Sequence, residues 1–131
     1  MPIWGIRFFR NDRGRRQFLE EYDRQPAAVR AEFRATMNGL RDQPTIAGWS
    51  RPNGFDRLSG EYRELGKFRF KVKNVQYRPL GFFGPGQKEY TLLAWATERD
   101  GKFDPRGIRD TALRRRVMVL SDPRLADACD F

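Results

Sequence analysis

Three strand-length runs follow one another between residues 61 and 97: "EYRELGKFRFKVK", "NVQYRPLGFF" and "KEYTLLAWAT". The last two are joined by Gly84-Pro85-Gly86, and the first two abut. Connections this short leave no room for a crossover helix, so neighbouring runs must pair antiparallel as a meander. Pro79 interrupts the second run and lacks a ladder donor, which predicts an edge position or a bulge there.

The flanking segments supply the rest of the architecture. "IWGIRFF", residues 3 to 9, reads as a first strand, and Asn11 or Asp12 can cap the helix after it. In "RGRRQFLEEYDRQ" the apolar residues Phe18, Leu19 and Tyr22 share a helical face. Pro26 opens a second helix in which Val29, Phe33, Met37 and Leu40 form one stripe. Residues 42–56, punctuated by Pro44, Gly48, Pro52 and Gly54, read as a loop. Asp104-Pro105 ends the "RDGKFDPRG" loop and can start a last helix. There Ile108, Ala112, Leu113, Val117 and Leu120 make the apolar face, with Arg114, Arg115 and Arg116 on the polar one. Residues 121–131 form a C-terminal tail. The predicted order is β-α-α-β-β-β-α in a single domain over residues 1–131. Its class is α+β, an antiparallel sheet with helices packed on one face.

Composition narrows the chemistry. The chain has no His, which excludes His-based triads and His general bases, and its single Cys129 cannot form an internal disulfide. No zinc ligand set is available, and no cofactor is called for. No run has the length of a spanning helix, and "MPIWGIRFFR" lacks a signal-peptide core, so the expected location is the cytoplasm, with no membrane contact. The net charge is +9, carried mostly by Arg, whose planar fork suits phosphate.

That charge is concentrated in the meander. Lys67, Arg69, Lys71 and Lys73 are two apart, so an uninterrupted strand aims all four at one face while Phe68, Phe70 and Val72 face the core. A row of cations backed by a sheet suits a phosphate backbone, and Tyr62, Tyr77 or Trp95 can stack a base. A solvated sheet face is the plainer reading of the same residues. RNA cleavage by its own 2′-hydroxyl needs a base, a cation at the developing phosphorane and an acid at the leaving oxygen. Arg78, held in a strand, is a candidate clamp for the scissile phosphate, unless it merely pairs with Glu64 across the sheet. A Lys among like charges, or Glu64 itself, is the candidate acid or base.

Taken in order, "LSGEYREL", "QYRPLGFF", "TLLAWATERDGKFDP" and "RDTALRRR" resemble the RelE/HigB superfamily of type II toxins, in its phage-derived HigB-like branch. The resemblance covers residues 55 to 118 in detail and the β-α-α start in layout only. It implies a RelE-like fold and a ribosome-associated endoribonuclease that cuts mRNA without a metal. It also implies a cognate antitoxin, expected to be a helix-turn-helix protein. Carried over by position, the resemblance implies catalytic roles for Arg78, Glu64, Arg99 and Lys102, with Lys67 or Arg69 supplying the charge absent at Gly66. The candidate RNA-binding residues, read from the charge and aromatic pattern, are Arg63, Lys71, Lys73, Tyr62, Tyr77 and Arg106. The chain departs from the pattern at Gly66, where the branch carries Arg, at Pro79 after Arg78, and at Glu98 in the basic loop. Two other functions suit the same features: a ParE-like toxin acting on gyrase, and a non-catalytic RNA-binding domain.

Overall fold

The computed structural model describes residues 3–49 and 54–128. The helical stripes near the N-terminus behave as their spacing dictates. Helix α1 spans Gln17–Asp23 and helix α2 spans Ala27–Arg41, and Phe18, Tyr22, Val29, Phe33, Met37 and Leu40 are all buried. Burying each such side chain stabilises the fold by roughly 1.5–3 kcal/mol before chain entropy is counted. Asn11 does not cap α1. Its Oδ1 accepts the N–H groups of Arg13 and Arg15 and closes a local turn, and α1 starts at Gln17 with no side-chain cap.

The three runs lie where the sequence puts them, but each is broken and passes from one sheet to another. The first becomes β3 (Gly66–Phe68) and β4 (Phe70–Val72), the second β5 (Val75–Tyr77) and β6 (Leu80–Phe83). The third becomes β7 (Glu89–Ala94) and β8 (Thr97–Arg99). Adjacent runs still pair antiparallel: Phe70 faces Tyr77, Gly66 faces Gly81, and Gln76 faces Glu98. The breaks line up across the meander. Phe68 N–H donates to Pro79 O at 3.0 Å, and Arg78 N–H donates to Ala96 O at 2.7 Å. Pro79 supplies the reason, since it offers no N–H to continue the ladder. The register then slips between Leu80 and Gly81, a bulge beside the proline. A Cβ on Gly81 would sit 2.4 Å from Thr91 O and 2.6 Å from the Tyr90 ring, so only glycine fits there.

Three expectations about the sheet are corrected. First, it is not purely antiparallel. Strand β1 (Gly5–Phe9) runs parallel to β7, with Ile6 opposite Tyr90. Its other edge takes β10 (Ala126–Ala128) antiparallel, so the expected tail after residue 121 contributes an edge strand. Before it, Pro123–Leu125 form a 3-10 turn, capped by Asp122 accepting from Arg124 N–H. Second, helices cover both faces. Ile6, Phe8, Tyr90 and Leu92 share a core with α1 and α2, whereas Phe9, Leu80, Phe82 and Leu93 share a second core with α4 (Ile108–Ser121). Strands β1, β6 and β7 are apolar on both sides of the pleat, which is the pattern of a sheet buried twice over.

Third, the segment 42–56 is not all loop. A short helix α3 (Ile46–Trp49) and strand β2 (Phe55–Arg57) bury Trp49 and Phe55 completely, with Trp49 edge-on to both Trp4 and Phe55. Pro52 lies outside the described residues, as does Cys129. With β9 (Lys102–Asp104) the strand order is β10-β1-β7-β6-β3-β2 in one sheet and β4-β5-β8-β9 in the other.

Helix α4 is turned relative to its apolar pattern. Ile108 and Ala112 face inward as predicted, but Val117 and Leu120 are 57% and 49% exposed. Positions 115, 116 and 119 complete the inward stripe instead. Arg115 lies over the Phe9 ring, donates to Leu93 O at 2.7 Å, and stands 3.4 Å from Glu21 Oε1. Glu21 also accepts Trp95 N–H, so one carboxylate links α1, α4 and the end of β7. Arg116 lies over Phe82. Long guanidinium stems cover apolar rings while their heads reach carbonyl and carboxylate oxygens at the rim.

Candidate functional site

The aligned breaks leave a seam between the sheets, and three charged side chains meet there. Arg78 Nε donates to Glu98 Oε1 at 2.8 Å, and Lys67 Nζ stands 3.6 Å from the same oxygen. The side chains of Lys67, Arg78 and Glu98 are 20%, 13% and 18% exposed. Charges this withdrawn from water interact more strongly than surface pairs. The remaining Arg78 nitrogens are also held: Nη1 donates to Tyr77 O at 2.8 Å and Nη2 to Gln76 Oε1 at 3.0 Å. The guanidinium is therefore fixed in place by three partners.

Glu64 is not the carboxylate that Arg78 pairs with. It is half exposed after the 3-10 turn Gly60–Tyr62, 3.5 Å from Arg116 and 4.0 Å from Arg63. The pairing of Gln76 with Glu98 in β5 and β8 brings Glu98 to Arg78 instead.

The row of four cations on one strand face does not form, because the strand breaks at Arg69. Lys67 turns to Glu98, whereas Arg69 meets Asp56 Oδ2 at 2.8 Å. Arg69 and Lys71 line a separate groove with Glu32 beside α2. Lys73 is exposed in the β4–β5 turn, where Lys73 and Asn74 both adopt positive φ, 49° and 68°. The core facing of Phe68 and Phe70 is as predicted.

Two of the three aromatic platforms are withdrawn from any ligand. Tyr77 is buried and stacks on Phe70, and Trp95 packs against Tyr22 and Phe33. Tyr62 is half-buried, and its hydroxyl donates to Asp110 Oδ1 at 2.8 Å. That bond, aided by burial and the Asp110 charge, raises its pKa above the usual phenol value. Arg63 is exposed and folds back to Gly60 O.

Arg99 and Lys102 are exposed and face each other across the two-residue Asp100-Gly101 turn of the β8–β9 hairpin. On one side of this hairpin a groove of about 470 Å³ is lined by Lys73, Asn74, Thr97, Glu98 and Arg99. Lys102, Phe103, Arg106 and Arg109 line a separate pocket of about 250 Å³. Lys67 Nζ is 5.6 Å from the Phe103 ring centre, which joins the pocket to the seam.

Sequence reasoning does not single out Gln76, Glu98, Phe103 or Arg109 as site residues. Glu98 registers in the sequence only as an acid in a basic loop, and Arg78, expected within a strand, lies in the break between β5 and β6, where the β5–β8 pairing sets it beside Glu98. Among the described residues no group of His, Cys, Asp and Glu side chains is placed to hold a metal ion, and no helix is long and apolar enough to cross a membrane. Chemically the seam offers a carboxylate able to take a proton, a fixed guanidinium and an ammonium able to give one. No family model, curated protein or solved structure matches this chain.

Proposed function

We propose that this protein is an RNA-cleaving toxin of the RelE/HigB kind, cutting mRNA at the ribosome and silenced by a cognate helix-turn-helix antitoxin. The observation that carries the reading is the convergence of Lys67 and Arg78 on Glu98 in a half-buried seam. The resemblance of residues 55 to 118 supports it, as does a surface charge suited to a polyanion.

In the reaction, Glu98 takes the proton of the 2′-hydroxyl. The 2′-oxygen attacks phosphorus, and the bond to the 5′-oxygen breaks as Lys67 delivers a proton to it. Arg78 stays in place throughout, its charge facing the non-bridging oxygens as negative charge builds on them. The products are a 2′,3′-cyclic phosphate and a free 5′-hydroxyl. The exposed Arg99, Lys102 and Arg106 bind the flanking strand, and an acidic antitoxin segment competes for the same cations.

A second reading, a non-catalytic RNA-binding domain, is favoured by one feature: every Arg78 nitrogen already has a protein partner. Expression without an antitoxin separates the two. Growth arrest with transcripts cut inside translated regions, and gyrase supercoiling untouched, is the expected result. Normal growth at high soluble expression would contradict the toxin reading.

A further inference from the structure

We infer that the pocket lined by Lys102, Phe103, Arg106 and Arg109 holds the RNA backbone phosphate adjacent to the scissile one, with Arg109 as the residue that positions it. This rests on the RNA-cleaving reading and adds to it a binding subsite and a residue outside the seam.

The Arg109 guanidinium lies between two rings, 4.4 Å from the Tyr62 centre and 5.3 Å from that of Phe103. Each such contact with a cation is worth roughly 0.5–1 kcal/mol at an exposed site, enough to restrict a long side chain to one arrangement. Among the described residues Arg109 makes no side-chain hydrogen bond and no ion pair. Asp110, the adjacent carboxylate, accepts from the Tyr62 hydroxyl. Arg109 is thus a cation fixed in direction with its donors unspent, whereas each Arg78 nitrogen already holds a protein acceptor. A fixed fork of free N–H groups matches a phosphodiester's paired oxygens.

The pocket has the corresponding character. Its lining holds three cations, Lys102, Arg106 and Arg109, together with Phe103 and two glycines, and no carboxylate. The Phe103 ring forms a shared wall, with Arg109 and Lys67 both against it. A strand whose scissile phosphate lies at Lys67 and Arg78 therefore has its neighbouring phosphate directed to Arg109.

The test uses the full chain and a short 2′-O-methyl RNA, which cannot be cut, with one linkage at a time replaced by an uncharged methylphosphonate. Binding is followed by fluorescence anisotropy at low salt. Neutralising one linkage beside the seam should weaken binding to the wild type by about tenfold, the size of a lost charged hydrogen bond. Arg109→Gln should bind the all-phosphate RNA about tenfold more weakly and lose nothing further at that linkage. Arg109→Lys should recover part of the loss, and melting temperatures should fall by about 2–8 °C at most, the size of two lost ring contacts, with the protein fully folded at the assay temperature. Equal losses for wild type and Arg109→Gln at every linkage would overturn the role of Arg109 and leave the RNA reading standing. Failure of the wild type to bind the all-phosphate RNA would overturn both.

Discussion

Glu98→Gln should lower RNA cleavage by about 10²–10⁴-fold, the usual contribution of a positioned general base. Glutamine keeps an oxygen for Arg78 Nε and nearly the same volume, so the β5–β8 pairing and the seam should persist. What it loses is the ability to take a proton and the negative charge that offsets two cations. RNA affinity should therefore hold or rise while the rate collapses. If Glu98 merely shields Arg78, the same substitution would remove the charge that neutralises the guanidinium, and cleavage would be retained or improved. The two roles thus require opposite changes in rate.

Arg78→Ala complements it. Removing the clamp should cost about 3–4 kcal/mol of transition-state stabilisation. Because Arg78 is also held by Glu98, Tyr77 O and Gln76, the variant should melt earlier as well. The informative quantity is the rate per folded molecule, measured with the melting curve in hand.

Phe33→Ala should produce the largest loss of stability, about 3–5 kcal/mol, with a fall in melting temperature of about 10–20 °C. Phe33 is fully buried where α2 meets the seam, edge-on to Phe68 at 5.8 Å and to Trp95 at 5.5 Å, with Phe18, Tyr22 and Phe70 around it. It touches Phe68 of β3, Phe70 of β4 and Trp95 just after β7, so its loss loosens β3, which carries Lys67, and the segment that leads into β8. The surrounding rings are rigid and cannot collapse into the space, which places the cost at the upper end of such truncations. Thermal denaturation followed by far-ultraviolet circular dichroism checks it. A fall of only a few degrees would mean the aromatic cluster does not depend on this ring.

The parts of the fold legible in the sequence are those where local pattern and tertiary burial agree. The 29-33-37-40 stripe of α2 is one, and the location of the three strand runs is another. The breaks within those runs are less visible, because a strand that changes sheets keeps its alternation of apolar residues. Only Pro79 marks the seam, through its missing N–H. Strand β10 is three residues long and exists through pairing with β1, far away in sequence, so no local signal announces it. Helix α4 misleads for a different reason. Val117 and Leu120 look like core, yet the rings of Phe9 and Phe82 are better covered by the stems of Arg115 and Arg116, whose heads find partners at the rim. At the candidate site, Lys67 and Arg78 are each legible as candidate cations, and the structure brings both to one carboxylate. Their partner is not legible, because Glu98 and Arg78 are twenty positions apart and meet only through the β5–β8 register.

The chemistry of the cut ends is decisive for the proposed reaction. Purified protein should be mixed with ribosomes translating a defined mRNA, and the termini of the products mapped. Wild type and Glu98→Gln should be run side by side. Transfer through Glu98, Arg78 and Lys67 requires internal cuts bearing a 2′,3′-cyclic phosphate upstream and a 5′-hydroxyl downstream, nearly absent with Glu98→Gln. Intact mRNA with the protein bound, or fragments carrying 5′-phosphates, would contradict it.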